Sequence, residues 1–446
     1  MATRREVVGM MAAALVGSRS AAGSGAWELG ELERMASEVS LGSRVAPGAE
    51  IPGVGPNETG YALRVPGATL TFYPAFWVRD AAMMLGAGLV PTQEVAGWVR
   101  VVASTQAGPE GIRLANGLSI PPYSIPDHIT LHGSPCWYPG AYDGPNQGDG
   151  TFGFLPPADD AFFFIGMVRE HLRLTGRPTL FRGPVRTPWG EATVAEVCEH
   201  AFDSVAADPQ TGLVTCEAGR GRTRVDWGFC DTVRKTGLCL MPSLLRWRAA
   251  RDLVALHRAA GSAARSAGYS REASRVREAI PRTFYQSVGT APGGEGLLLS
   301  ATGVGRKDDV WASAFAVTLG VLPRDVERAV TKHLLTLYRA GGTVLEGQVR
   351  HLPPTGSLGG YWEDCRAARD TYQNGAYWGT PTGWFVSALG RVDRAAAAQM
   401  LRDYLTHLKA KRAEGAPWEC INPSKAHYQN PRYSASVCLP LAALKG

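Results

Sequence analysis

The sequence lacks the signatures of several function classes. Its nine histidines are scattered, with no HExxH and no paired ligand spacing, so metal-dependent hydrolysis has no support. Its eight cysteines, at 136, 198, 216, 230, 239, 365, 420 and 438, include no CxxC, which excludes a zinc ribbon. Buried thiols are the plain reading; the even count also suits a compartment that permits disulfides. The net charge is only +6, and no basic cluster interleaves with aromatics, so a nucleic-acid partner is excluded. No segment has the length and purity of a membrane helix. No metal or cofactor is expected, and beyond the leader no linker or low-complexity run divides the chain.

What is present is apolar and aromatic. Of 446 residues 45% are hydrophobic, and twelve are tryptophan, more than core packing usually needs. The N-terminus reads as a targeting segment. In "TRREVVGMMAAALVG", Arg4 and Arg5 precede a short apolar run over 7–17. "SRSAAG" then supplies small residues for cleavage near Ala22. The paired arginines point to the twin-arginine export machinery, and so to a periplasmic or secreted protein. Residues 1–22 are therefore read as an export signal and 27–446 as one catalytic domain.

Helical signals recur over 27–40, 77–90, 92–107, 158–176, 191–207, 238–261, 265–287, 308–321, 323–340, 375–390, 393–413 and 433–445. The twelve alternate in character. Even-numbered ones are small and apolar, whereas the third, seventh, ninth and eleventh are amphipathic and Arg-rich. A helix apolar all round is enclosed; an amphipathic one has a wet face. The pattern predicts an all-α fold, an (α/α)6 barrel, with long loops near 110–157 and 208–237 folded over one rim.

A polar and aromatic cluster precedes each inner helix. These are "FYPAFWVRD" (72–80), "LPPADDAFF" (155–163), "RVDWGFCDTVRKTG" (224–237), "GRKDDVWAS" (305–313), "DTYQNGAYWGTPTGW" (370–384) and "PWECINPSKAHYQNPRYS" (417–434). In such a barrel six equivalent helix ends converge on one mouth, so the clusters are expected to share one cavity. Helix capping explains a lone Asp at such a place, but it does not explain six acid-plus-aromatic clusters. A lining of aromatic faces, amides and carboxylates suits a sugar, whose ring faces are apolar and whose hydroxyls need partners. The expected sugar contacts are Trp77, Arg79, Asp80, Asp160, Trp227, Asp309, Trp311, Tyr372, Gln373, Asn374, Tyr377, Trp378, Trp418 and Asn422.

On "WVRD" (77–80), "YQNGAYW" (372–378) and the Glu-x-x-Asn-Pro of "WECINP" (418–423), the chain resembles the six-hairpin glycosidases. These are the barrel enzymes of the glucoamylase, trehalase, processing-glucosidase and mannosylglycerate-hydrolase type. The resemblance covers nearly everything after the leader. It implies a glycoside hydrolase that cleaves an oligosaccharide or glycoside with two carboxyl groups and inversion. It also implies a general acid before the third inner helix and a general base before the sixth. The base then falls on Glu419. Asp231 and Asp226 compete for the acid, with Glu363 beside Trp362 as a further candidate. Two other readings stay open. One is a polysaccharide lyase on the same barrel, for which His351, His427 and Tyr428 are available. The other is a sugar-binding barrel without catalysis.

Overall fold

The computed structural model describes residues 22–114, 117–139, 147, 156–216, 218–219, 222–223, 229–287, 294–424 and 428–445. Twelve helices form the frame: α1 (Ala22–Gly42), α2 (Val78–Leu85), α3 (Thr92–Ala103), α4 (Asp160–Thr175), α5 (Val194–Ser204), α6 (Leu240–Ala259), α7 (Ala263–Phe284), α8 (Val310–Leu319), α9 (Arg324–Ala340), α10 (Thr382–Gly390), α11 (Arg394–Ala410) and α12 (Ala435–Lys445). Helix α2 packs on α4, α4 on α6, α6 on α8, α8 on α10, α10 on α12, and α12 back on α2, which closes a ring. Helices α3 and α5 pack outside α4, α7 outside α6, α9 outside α8 and α10, α11 outside α10, and α1 outside α12. The architecture is an (α/α)6 barrel.

Burial explains which helices are inner. Every residue of α8 from Val310 to Val317 is buried, whereas α9 buries only Ala329, Val330, Thr331 and Leu334. Local signals set the ends. Asp309 accepts from the Ala312 N–H at 2.8 Å to start α8, and Gly320, at φ 65°, stops it. A reciprocal Thr193–Glu196 capping box starts α5.

The rim departs from the expected helix over 375–390, because α10 begins only at Thr382. The preceding residues enter a sheet instead. Pro381 stands at the N-cap of α10, and the backbone of Tyr377–Trp378 is claimed by neighbouring strands. Two small antiparallel sheets lie here. The first joins β1 (Phe76–Trp77), β2 (His128–Ile129) and β3 (Pro135–Cys136) in that order. The second is a meander of β4 (Val344–Leu345), β5 (Gln348–Arg350), β6 (Tyr377–Trp378), β7 (Trp418–Ile421) and β8 (Tyr428–Pro431). Its register pairs Trp378 with Cys420 and Trp418 with Pro431. It thereby brings the fifth and sixth rim clusters together.

Helix α12 closes the ring through close backbone approach. A Cβ on Gly383 would lie 2.5 Å from Pro440 Cα, and one on Gly86 2.7 Å from Ala442 Cβ. Gly383 meets backbone that cannot swing aside. Gly383→Ala is therefore expected to destabilise the protein by about 1–3 kcal/mol, read by chemical denaturation. Unchanged stability would mean that this seam is loosely packed.

Candidate active site

A cavity opens at the N-terminal ends of the inner helices. The first cluster supplies Tyr73, Trp77, Arg79 and Asp80, and α2 adds Met83. The third supplies Phe229 and Asp231, the fifth Tyr372, Gln373, Trp378 and Thr380, and the sixth Glu419 and Tyr433. Four of the six clusters thus line it. The second sits behind Arg79, and the fourth does not reach it.

Glu419, on β7, is buried. Its Oε2 accepts from Tyr73 Oη at 3.2 Å and from Asn430 Nδ2, and its Oε1 accepts from Tyr372 Oη at 3.2 Å. Burial pushes this carboxyl up to about 8, and the nearby Asp231 and Asp80 add to the effect against the hydrogen bonds from Asn430 and Tyr372. Glu419 thus holds a proton that its donors favour releasing.

Asp231 is raised above the usual carboxylate range, chiefly by burial and then by Asp127, with Arg79 and Gln373 opposing. Gln373 donates from Nε2 to Asp231 Oδ1 at 2.8 Å. Its orientation is fixed, because its Oε1 accepts from both the Thr232 N–H at 2.8 Å and Thr232 Oγ1 at 2.7 Å. The amide end must therefore face Asp231.

Arg79 anchors the acidic side. Its Nε lies 3.1 Å from Asp159 Oδ2, and its Nη2 lies 3.6 Å from Asp127 Oδ1. Burial works against its charge, but Asp159, Asp160, Asp127 and Asp231 outweigh that and hold it firmly protonated. Asp80 accepts from Tyr433 Oη and is lifted by burial to about 6. His128 stacks on Trp77 with ring centroids 4.1 Å apart. Burial disfavours its charge, yet the 2.8 Å contact with Asp127 and a bond to Cys136 raise it to about 9.

Backbone strain concentrates at this site. Tyr73, Phe229 and Tyr372 have φ of 51°, 62° and 43°, and Asn430 has 49°. Non-glycine residues in this region cost on the order of 1–3 kcal/mol each and cluster at functional sites.

The other expected contacts lie elsewhere. Asp160 is buried behind the wall, with neither oxygen hydrogen-bonded and its carboxyl held well above the ordinary range by burial and Asp159. Asp309 caps α8. Trp311 is core, donating to the Val349 carbonyl at 3.1 Å. Asn374 staples its own loop, donating to the Ala367 carbonyl at 2.9 Å and accepting from the Trp362 N–H at 3.1 Å. The Tyr377 hydroxyl donates to the Gly342 carbonyl at 2.7 Å, and Trp418 stacks on Tyr428 at 4.2 Å. Asn422, just past β7, does not line the cavity. Glu363 is half exposed, accepts from the Gly305 N–H at 2.8 Å, and is also outside the cavity. Asp226, Trp227 and His427 lie outside the described residues. His351 is buried with both ring nitrogens engaged, by Asp309 and Cys230, so neither it nor Tyr428 is placed as a lyase base. Among the described residues no cluster of metal ligands occurs, and no helix is long and apolar enough to cross a membrane.

Sequence reasoning did not single out Tyr73, Asn430, Tyr433 or Asp127. The first three stand inside the quoted clusters, and an aromatic or amide beside each acid was the available signal. Asp127 lies in the long loop 110–157, with nothing local to mark it.

No family model and no curated protein matches the chain. Solved structures do. A mannosylglycerate hydrolase from Thermus thermophilus in complex with glucose is 14% identical with a TM-score of 0.55, covering 92% of this chain and 99% of that one. A rhamnosidase of Bacillus sp. GL1 is 14% identical with a TM-score of 0.55, over 93% of this chain and 34% of that one. A rhamnosidase from Klebsiella oxytoca with rhamnose bound is 11% identical with a TM-score of 0.52, over 93% of this chain and 63% of that one. The likeness is one of fold, the six-hairpin (α/α)6 barrel.

The raised Glu419 carboxyl makes a stability prediction. Between its ordinary value of 4.5 and about 8 the folded state keeps a proton that the unfolded state has lost. Its contribution is therefore most favourable below 4.5 and is lost as pH climbs to about 8. Glu419→Gln removes the titration; its carbonyl can face Asn430 while the Tyr372 hydroxyl turns to accept. The variant is expected to melt higher than wild type at pH 8, by roughly 2–4 °C per kcal/mol gained, with the gap closing towards pH 5. Equal melting temperatures at pH 8 would show that Glu419 is not held protonated.

Proposed function

We propose that this chain, a six-hairpin barrel, is an exported glycoside hydrolase that acts with inversion on an oligosaccharide or glycoside. Asp231 is the general acid and Glu419 the general base. One observation carries the reading: the buried Glu419 carboxyl and the half-buried Asp231 carboxyl, from the sixth and third rim clusters, meet in one cavity walled by Trp77, Tyr372 and Trp378. The rings stack on the sugar face, and Arg79 and Asp80 take hydroxyls.

The two carboxyls suit different tasks. Burial raises the proton affinity of Asp231, which delivers its proton to the leaving oxygen. The resulting carboxylate is received by the Gln373 amide and the charge of Arg79. Glu419 acts once its own proton has been released to solvent, a form that its hydrogen-bond donors favour, and it then takes a proton from the water that attacks the anomeric carbon from the opposite face. Its three donors aim both oxygens and resist rotation. An inverting pair needs roughly 6.5–9.5 Å between carboxyls to seat the water.

A screen against α- and β-linked oligosaccharides, with product anomers followed by NMR, is expected to give the inverted anomer first. Asp231→Asn and Glu419→Gln should each lower kcat by on the order of 10²–10⁴-fold. A glycosyl fluoride leaves without a proton, so it should restore Asp231→Asn far more than Glu419→Gln. A retained anomer would exclude the inverting role of Glu419. Normal turnover of Asp231→Asn with loss in Asp226→Asn would move the acid to Asp226.

Export rests on the leader, which lies outside the described residues. Replacing Arg4 and Arg5 by Lys is expected to leave the precursor uncleaved in the cytoplasm, as seen by fractionation. Export of that variant at the normal rate would point to another route.

A further inference from the structure

The fourth rim cluster misses the cavity, yet it is connected to the residue beside Asp231. Asp309 Oδ1, which caps α8, also lies 3.1 Å from His351 Nε2. His351 Nδ1 lies 3.2 Å from Cys230 Sγ. The three side chains are buried, and the imidazole lies flat on Trp311, with centroids 4.1 Å apart and planes 4° from parallel. The order is acid, imidazole, thiol.

Protonation along this row follows from the donors available. Burial disfavours the charge of Asp309, but His351, Lys235 and the capped N–H hold its carboxyl below the ordinary range. As a carboxylate it only accepts, so His351 Nε2 carries a hydrogen. Nδ1 faces the Cys230 sulfur, accepting from the thiol when the ring is neutral and donating to the sulfur when it is charged. The same logic fixes a histidine tautomer wherever a carboxylate backs the ring. Covalent catalysis does not fit, because Cys230 is 1% exposed and absent from the cavity wall. Its neighbours Phe229 and Asp231 are the residues that line the cavity.

We propose that the Asp309–His351–Cys230 row is a positioning device for Asp231. The segment 229–232 is held at three places. The Phe229 N–H donates to Asp159 Oδ2 at 3.0 Å, at a residue in left-handed conformation. Thr232 donates twice to Gln373. Cys230 secures the middle, tying the segment through His351, just past β5, to the N-cap of α8. A strained segment persists only when its surroundings over-determine it, and the row supplies that constraint from the side away from the sugar. Cys230 and His351 are positioning residues, since they act through Asp231.

This proposal rests on the reading of Asp231 as proton donor, and its test separates the two. Cys230→Ala removes the hydrogen-bond partner of His351 Nδ1, and Cys230→Ser keeps one. With an oligosaccharide, Cys230→Ala is expected to lower kcat about 10²-fold, the scale of an ångström-sized misplacement, with KM nearly unchanged. The loss should be much smaller with a glycosyl fluoride, and Cys230→Ser should recover most of the wild-type rate. Cys230→Val, without a donor, serves if the Ala variant does not fold. A crystal structure of Cys230→Ala should show Asp231 moved off Gln373 Nε2. Wild-type turnover in Cys230→Ala, equal losses on both substrates, or an intact Asp231–Gln373 bond would each overturn the row. If wild type cleaves no glycoside, the functional reading fails, while the crystal structure still decides the row.

Discussion

The acidic wall of the site depends on Arg79. Arg79 lies among Asp127, Asp159, Asp160 and Asp231, which come from the loop before β2, the start of α4 and the segment before α6. Without it Asp159, Asp160 and Asp231 could share this volume only as neutral acids, because an isolated buried charge is far too costly, whereas Asp127 also has His128. With it, some stay ionised and act as acceptors. Asp159 uses that role to hold the Phe229 N–H, so Arg79 acts on Asp231 twice. It does so directly through its field, and indirectly by keeping Asp159 able to fix the segment on which Asp231 stands.

The rest of the site works against stability. Glu419, Asp231, Asp80 and Asp160 are all raised, so each favours the unfolded chain as pH rises through its range. Four residues at the cavity or beside Glu419 add left-handed backbone. The barrel offsets this with the closed ring beneath, where small residues let inner helices approach within van der Waals contact. The strained rim and the tightly packed ring are two halves of one arrangement.

The ring was legible because wholly apolar and amphipathic helices alternate along the chain, and that alternation survives at any sequence distance. The rim was less so. Two-residue strands such as Tyr377–Trp378 carry no periodic signal, so the residues ahead of α10 read as helix. The clusters gave Trp77, Arg79, Asp80, Asp231, Gln373, Trp378 and Glu419 a shared place, and the structure gathers these around one cavity. They did not separate Asp309 from them. An aspartate that caps a helix and one that faces a ligand look alike in sequence, since both stand at a helix start among polar residues. Asn430 reaches Glu419 only because β8 pairs with β7, a relation set by register and by a left-handed residue.

That ambiguity has a physical resolution in the backbone. Inner-helix N-termini all face the mouth, and their positive ends favour carboxylates there. What then decides an acid's role is whether it accepts a helix N–H. Asp309 accepts from Ala312 and Asp393 from Ala396, and both are held below the ordinary range. Asp80 and Asp160 stand in first turns without making such a bond, and burial leaves both raised. Asp231 and Glu419 stand ahead of their helices, on a tied segment and a strand. Their donors are side chains at the cavity, so their protonation answers to the cavity rather than to the helix. A capping acid is committed to its helix as a carboxylate. Only acids released from capping are free to exchange a proton with the cavity, and in this barrel three of them line it: Asp80 on α2, and Asp231 and Glu419 on the segments before α6 and α12.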